Sequence, residues 1–131
     1  MIQGAEAEVE IKENSVTKKR PAKNYRHPML DKRIRKQRTQ TEFSSIKKAR
    51  RNDVNVPKVE KTSEYILKME KISGKTLAED FRPEKMIKVA ENVQKLHESG
   101  LVHGDLTTKN IISNKEVTLI DFGLSEFSSR R

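Results

Sequence analysis

Near the end of the chain, two carboxylates and an amide are spaced for work on phosphate esters. The string Leu101-Val102-His103-Gly104-Asp105-Leu106-Thr107-Thr108-Lys109-Asn110 is followed by Leu119-Ile120-Asp121-Phe122-Gly123. Asp105 can accept a hydroxyl proton or orient an attacking oxygen. Asn110, five residues on, returns to the same place and can bind a metal ion. Asp121 ends a short apolar run and offers a hard carboxylate to Mg2+. One base-like Asp and two Mg2+ ligands are what phosphoryl transfer requires of one face of a site. An Asp-Phe-Gly tripeptide alone says little, but its position sixteen residues after Asp105, with two short strands between, is specific. The bland alternative makes Asp105 and Asp121 ordinary loop carboxylates and leaves that spacing unexplained. His103 reads as a structural histidine bonded to the loop backbone rather than as a general base.

Several elements must hold these residues in place. Met86, Ile87, Ala90, Val93, Leu96 and His97 repeat at three and four residues, which predicts an amphipathic helix that stops at Gly100. Ile111-Ile112 and Val117–Ile120 read as the two short strands. Upstream, Ala7, Val9 and Ile11 alternate with Glu8, Glu10 and Lys12, the period of a strand with one buried face. Glu13-Asn14-Ser15 reads as a turn into a second strand at Val16–Lys18, completing a hairpin. From Met29 to Arg51 there is neither Pro nor Gly, and Leu30, Ile34, Phe43, Ile46 and Ala49 predict a long basic helix, with a break near Thr39-Gln40-Thr41. Residues 52–57 form a loop, Lys58–Lys61 and Tyr65–Lys71 are strands, and Thr76–Phe81 is a short helix. No internal repeat is present.

Composition narrows the function classes. The 131 residues suffice for one domain, but only 33% are apolar and 36% are charged. The absence of Cys excludes disulfides, thiolate metal sites and a cysteine nucleophile. No apolar run is long enough for a transmembrane helix or signal peptide, so the expected location is cytoplasm or nucleus. The net charge of +9 lies wholly in residues 1–51, with 15 Lys/Arg against 6 Asp/Glu; residues 52–131 balance at 13 of each. Such a concentrated positive field suits phosphates, nucleic acid or an acidic protein face, although a solvated Lys/Arg-rich helix has the same composition.

The two catalytic strings resemble the protein-kinase superfamily, whose catalytic loop usually carries Arg where this chain has Gly104. His-Gly-Asp also occurs in small-molecule phosphotransferases similar to aminoglycoside and choline kinases. Upstream strings separate the two: Gly4-Ala5-Glu6-Ala7, Lys18-Lys19-Arg20-Pro21, Tyr25-Arg26-His27-Pro28, Leu30-Asp31 and Arg38-Thr39 with Glu42. From Gly4 to Leu124 the chain resembles the small atypical Ser/Thr kinase/ATPase of the KEOPS (EKC) complex, a p53-regulating-kinase-like family. The resemblance implies an α+β, protein-kinase-like bilobal fold, with an N-terminal antiparallel sheet plus basic helix over 1–71 and a much reduced helical C-lobe over 72–131. In that pattern Lys18 contacts the ATP phosphates and Glu42 pairs with it. Gly4, Ala5, Glu6 and Ala7 stand in for the Gly-rich loop, and Met69, Glu70 and Ile72 belong to the adenine-reading hinge. Asp105 is catalytic, and Asn110 and Asp121 hold metal. ATP and Mg2+ are the implied cofactors. The implied role is support of threonylcarbamoyladenosine modification of tRNA, beside the sugar-kinase-like catalytic subunit and other KEOPS subunits, with tRNA contact through the basic helix 32–51 and no membrane. The rival reading is a catalytically weak scaffold or regulator that binds ATP and docks the modifying subunit. Gly104 leaves no arginine clamp for a phosphorylated activation loop, so no switching by such phosphorylation is expected.

Overall fold

The computed structural model describes residues 7–23 and 27–127. Strands β1 (Glu8–Ile11), β2 (Ser15–Lys19), β3 (Val59–Ser63) and β4 (Ile66–Glu70) form an antiparallel sheet in the order β1-β2-β4-β3. Between β2 and β3 in sequence lies helix α1 (Pro28–Arg51). Its first turn has Pro28, and the His27 ring accepts a hydrogen bond from the Met29 amide. Lys48, Arg50 and Arg51 sit in its last turn, where cations suit the helix dipole. The expected break at Thr39–Thr41 is absent. Thr39 is buried and its hydroxyl donates to the Arg35 carbonyl at 2.8 Å, so its polar atom is satisfied within the helix.

The strand reading of β1 holds, but its buried face does not. Val9 and Ile11 are 56% and 66% exposed, and β1 lies at the edge of the sheet, paired to β2. The short helix expected at Thr76–Phe81 is instead strand β5 (Lys75–Thr76) and a turn. Glu79 folds back to accept from the Thr76 amide at 2.9 Å, while Leu77 anchors the turn in the core.

Helix α2 (Met86–Glu98) follows a single 3-10 turn, and its inward residues are Val89, Asn92 and Leu96. Met86 and Ile87, expected on the core face, are exposed. The face is rotated because Asn92 points inward, accepting from the Asn55 amide at 2.8 Å and donating to the Lys88 carbonyl at 2.9 Å. An apolar count cannot register a buried polar residue of this kind. Strands β6 (Leu101–Val102), β7 (Ile111–Ser113), β8 (Val117–Leu119) and β9 (Glu126–Phe127) complete two small sheets, β5-β7-β8 and β6-β9.

One core spans both halves. Ile46 and Ala49 of α1 join Val89 and Leu96 of α2 and Ile111, Val117 and Leu119 of the hairpin. The connection after α1 is the joint: Val54 and Val56 are buried, and the Asn55 carbonyl accepts from the Leu119 amide at 2.9 Å. Among the described residues, no helix is long and apolar enough to cross a membrane.

Candidate active site

Strand β2 supplies the first half of the site. Its alternation places Lys18 and Arg20 on one face, and both are buried, whereas Lys19 is exposed. Glu42 of α1, 1% exposed, meets both cations. Its Oε2 is 3.0 Å from Lys18 Nζ and its Oε1 is 3.0 Å from Arg20 Nη2. Lys18 Nζ also reaches Asp121 Oδ1 at 3.1 Å. The structure therefore brings Lys18, Glu42 and Asp121 together from three separate elements.

Asp121 has φ +59°, in the left-handed region that a short polar side chain tolerates best. Its Oδ1 accepts the Gly123 amide at 3.2 Å. Burial pushes this carboxyl up, but the Lys18 charge and hydrogen bond, the Gly123 amide and the influence of His103 outweigh it and hold the acid below its usual range. A Cβ at position 123 would lie 3.0 Å from Lys18 Nζ and 3.4 Å from Arg20 Nη2, so glycine lets the turn close against both cations.

The second half is the loop around Asp105. The His103 ring is buried and packs on Phe122 at 4.6 Å. Its Nδ1 accepts the Asp105 amide at 3.2 Å, so Nε2 carries the proton and donates to the Ile120 carbonyl at 2.8 Å. His103 thus ties the start of the loop to the residue before Asp121. Asn110 Nδ2 donates to the Asp105 carbonyl at 2.8 Å, and the Ile120 amide donates to the Asn110 carbonyl at 2.9 Å. Asp105, Asn110 and the approach to Asp121 form one bonded unit, with the Asp105 side chain facing solvent. Gly104 has φ +91°, and a Cβ there would lie 2.1 Å from the Leu124 carbonyl oxygen. No side chain, the kinase arginine included, fits that position without displacing residue 124.

The donor set suits Mg2+. Asp121 is an ionised carboxylate whose side chain is 48% exposed. The Asn110 amide nitrogen is engaged by Asp105, which leaves its oxygen as the atom it offers. Among the described residues there is no group of three or more His, Asp or Glu side chains that could hold a metal. Two protein oxygens are the pattern expected of an ion that draws its remaining ligands from phosphate and water.

Gly4, Ala5 and Glu6 fall outside the described residues; Ala7 is half-buried just before β1. Met69 pairs across the sheet with Val16 and Val59. The Glu70 carboxylate accepts the Lys58 amide at 3.0 Å. Ile72 is half-buried and lines a cavity of about 700 Å³ with Arg50, Asn55 and Lys115, which includes none of Lys18, Glu42, Asp105, Asn110 or Asp121. No side-chain hydrogen bond or ion pair joins Met69, Glu70 or Ile72 to the Lys18 cluster among the described residues.

Sequence reasoning missed Arg20, although its spacing of two from Lys18 on a strand was the available signal. It also missed Ser45 and Ser125, both buried, whose hydroxyls lie 2.9 Å apart between α1 and the turn after Gly123. No pattern in the sequence pairs residues 80 positions apart.

Comparison with known proteins bears on the fold and the family. In shape the chain matches the Chaetomium thermophilum Rio2 kinase solved as an ADP/Mg2+-phosphoaspartate complex, with a TM-score of 0.70 at 15% identity over 94% of this chain and 48% of that one. It also matches WbdD, solved with a kinase inhibitor, at a TM-score of 0.69 and 19% identity over 97% and 32% of the two chains. These likenesses show a protein-kinase-like α+β fold. In sequence the chain is 44% identical to a Methanoculleus marisnigri protein named "Probable bifunctional tRNA threonylcarbamoyladenosine biosynthesis protein", over 98% of this chain and 25% of that one. It is 41% identical to the "KEOPS complex subunit Bud32" of Pyrococcus abyssi, over 95% and 66%. It is 39% identical to the "Probable serine/threonine-protein kinase BUD32 homolog" of Archaeoglobus fulgidus, over 97% and 66%. The chain thus spans about a quarter of the length of the bifunctional relatives and 66% of the Bud32 ones. The RIO domain model matches residues 6–126, and the chain belongs to the RIO domain family.

Proposed function

We propose that this chain is an atypical ATP-dependent Ser/Thr protein kinase or ATPase that acts within a KEOPS-type assembly supporting threonylcarbamoyladenosine modification of tRNA. The observation that carries the reading is the convergence of Lys18, Glu42 and Asp121, bonded at 3.0 and 3.1 Å, beside the Asp105–Asn110 loop. Lys18 would face the nucleotide phosphates, and Asn110 and Asp121 would hold Mg2+, which when bound neutralises charge on the transferring phosphoryl group. Asp105 would orient the attacking hydroxyl or water. The names of the relatives support the setting: one is called a KEOPS complex subunit and another a serine/threonine-protein kinase homolog. The proposed location is the cytoplasm or nucleus, and the proposed partners are the sugar-kinase-like modifying subunit and tRNA. The test is Mg·ATP hydrolysis by the purified chain, alone and with that subunit, beside Asp121→Ala. Turnover lost in the variant, by at least about a hundredfold, is the expected result. ATP binding without turnover in either setting would replace the enzyme with a nucleotide-binding scaffold.

A further inference from the structure

Arg20 is not needed to explain a lysine–glutamate pair, yet it is built into this one. Its guanidinium is 6% exposed and holds Glu42 Oε1 at 3.0 Å, so the glutamate gives one oxygen to each cation. Its backbone is gripped on both sides. The Arg20 amide donates to the Tyr65 carbonyl at 3.0 Å, and its carbonyl accepts Arg35 Nη1 at 3.3 Å. Arg35 is itself held by Asp31 at 2.8 Å and lies 4.0 Å over the Tyr65 ring. Arg20 therefore stays where it is while Lys18, the cation that also touches half-exposed Asp121, has the outward partner.

The charges explain what this arrangement does. Lys18 and Arg20 face Glu42 and Asp121, two cations against two carboxylates. An incoming polyphosphate would draw Lys18 toward itself. With Lys18 as its sole partner, Glu42, 1% exposed, would then be a buried unpaired carboxylate, and that cost would hold the lysine back. With Arg20 in place, Glu42 keeps a charge partner throughout. We propose that Arg20 is a positioning residue: it is the standing counter-ion of Glu42, and by holding that carboxylate it releases Lys18 to bind a phosphate-bearing ligand. This rests on the nucleotide reading of the site.

The test is calorimetric titration of Mg·ADP into the full chain and into Arg20→Met, Arg20→Lys, Lys18→Met and the Lys18→Met/Arg20→Met double variant, with thermal melting of each. Arg20→Met is expected to weaken ADP about tenfold, and Arg20→Lys only about threefold, because lysine restores the charge without the fork. In the Lys18→Met background, Arg20→Met should change affinity less than about twofold, since no lysine remains to be released. Equal losses in both backgrounds would overturn the proposal, as would unchanged affinity in Arg20→Met. If Arg20→Met does not melt cooperatively, Arg20→Lys in both backgrounds decides: a loss confined to the chain with Lys18 supports the proposal, and equal or absent losses overturn it. Failure of the unaltered chain to bind Mg·ADP would remove the nucleotide reading, and this proposal with it.

Discussion

Glu42 has almost no surface in water, so the effect of removing it is decided by what it leaves behind. In Glu42→Ala the Lys18 and Arg20 charges stay buried with only half-exposed Asp121 to answer them. Breaking a buried pair in this way costs about 3–5 kcal/mol, and the loss should appear as a lower midpoint in denaturant melts. Asp121 makes a pH-dependent contribution whose sign follows from its lowered pKa. The carboxylate is favoured in the folded chain, so its stabilisation is complete above the unfolded value and fades as pH falls through the folded one. Asp121→Asn should therefore flatten the acid limb of the stability–pH curve while leaving the alkaline limb in place. At this scale the sequence was most informative about the Asp105–Asn110 and Asp121–Gly123 strings, because Asp105, Asn110 and Asp121 are close together in the chain and the loop bonds join Asp105, Asn110 and Ile120. The Lys18–Glu42 pair came from family resemblance, and Arg20 was passed over because a Lys-Lys-Arg run reads as solvated charge until a strand buries every second residue.

Elements are coupled here by small buried polar contacts as well as by the shared apolar core. Ser125 Oγ lies 2.7 Å from the Phe122 carbonyl and 2.9 Å from Ser45 Oγ. A carbonyl can only accept, and one hydroxyl has one proton, so Ser45 donates to Ser125 and Ser125 donates to Phe122. This relay fastens α1, which carries Glu42, to the turn that follows Asp121. Ser45→Ala should lower stability by about 1–2 kcal/mol, since Ser125 keeps its own acceptor and loses only a donor. Gly104→Ala should be worse than that, because the backbone is left-handed and the Leu124 carbonyl fills the space. Thermal melts of the two variants side by side would check the order. The elements themselves were legible where periodicity was strong, as in α1 and the β1–β2 hairpin. They were misread where polar atoms decide the packing: Asn92 turns α2, Thr39 keeps α1 continuous, and Glu79 makes a turn of what looked helical. Pattern reading counts apolar side chains and cannot see a satisfied polar one.

For the whole molecule, the asymmetry of charge becomes an asymmetry of surface. The two acids within α1, Asp31 and Glu42, are 3% and 1% exposed and directed at internal partners. The outward face is left acid-free, with Lys32, Lys36, Lys47 and Arg51 aligned along one stripe by spacings of four, eleven and four residues. From Lys32 to Arg51 this stripe runs roughly 29 Å, long enough to follow several phosphates of a nucleic-acid backbone. Among the described residues, only Lys36 of the four has an ion-pair partner, Glu64 at 3.2 Å, and that pair is open to solvent. If the stripe contacts tRNA, as proposed, binding should weaken linearly on a log–log plot against salt. Substituting Lys32, Lys36 and Lys47 together by Gln should then reduce the slope by roughly 2–3, since each lost phosphate contact removes a little under one released counterion. Filter binding of unmodified tRNA across a salt series measures this directly. A slope unchanged by the triple substitution would assign tRNA contact to another surface and leave the stripe as a docking face for an acidic protein subunit, whose binding to the same variant should then fall instead.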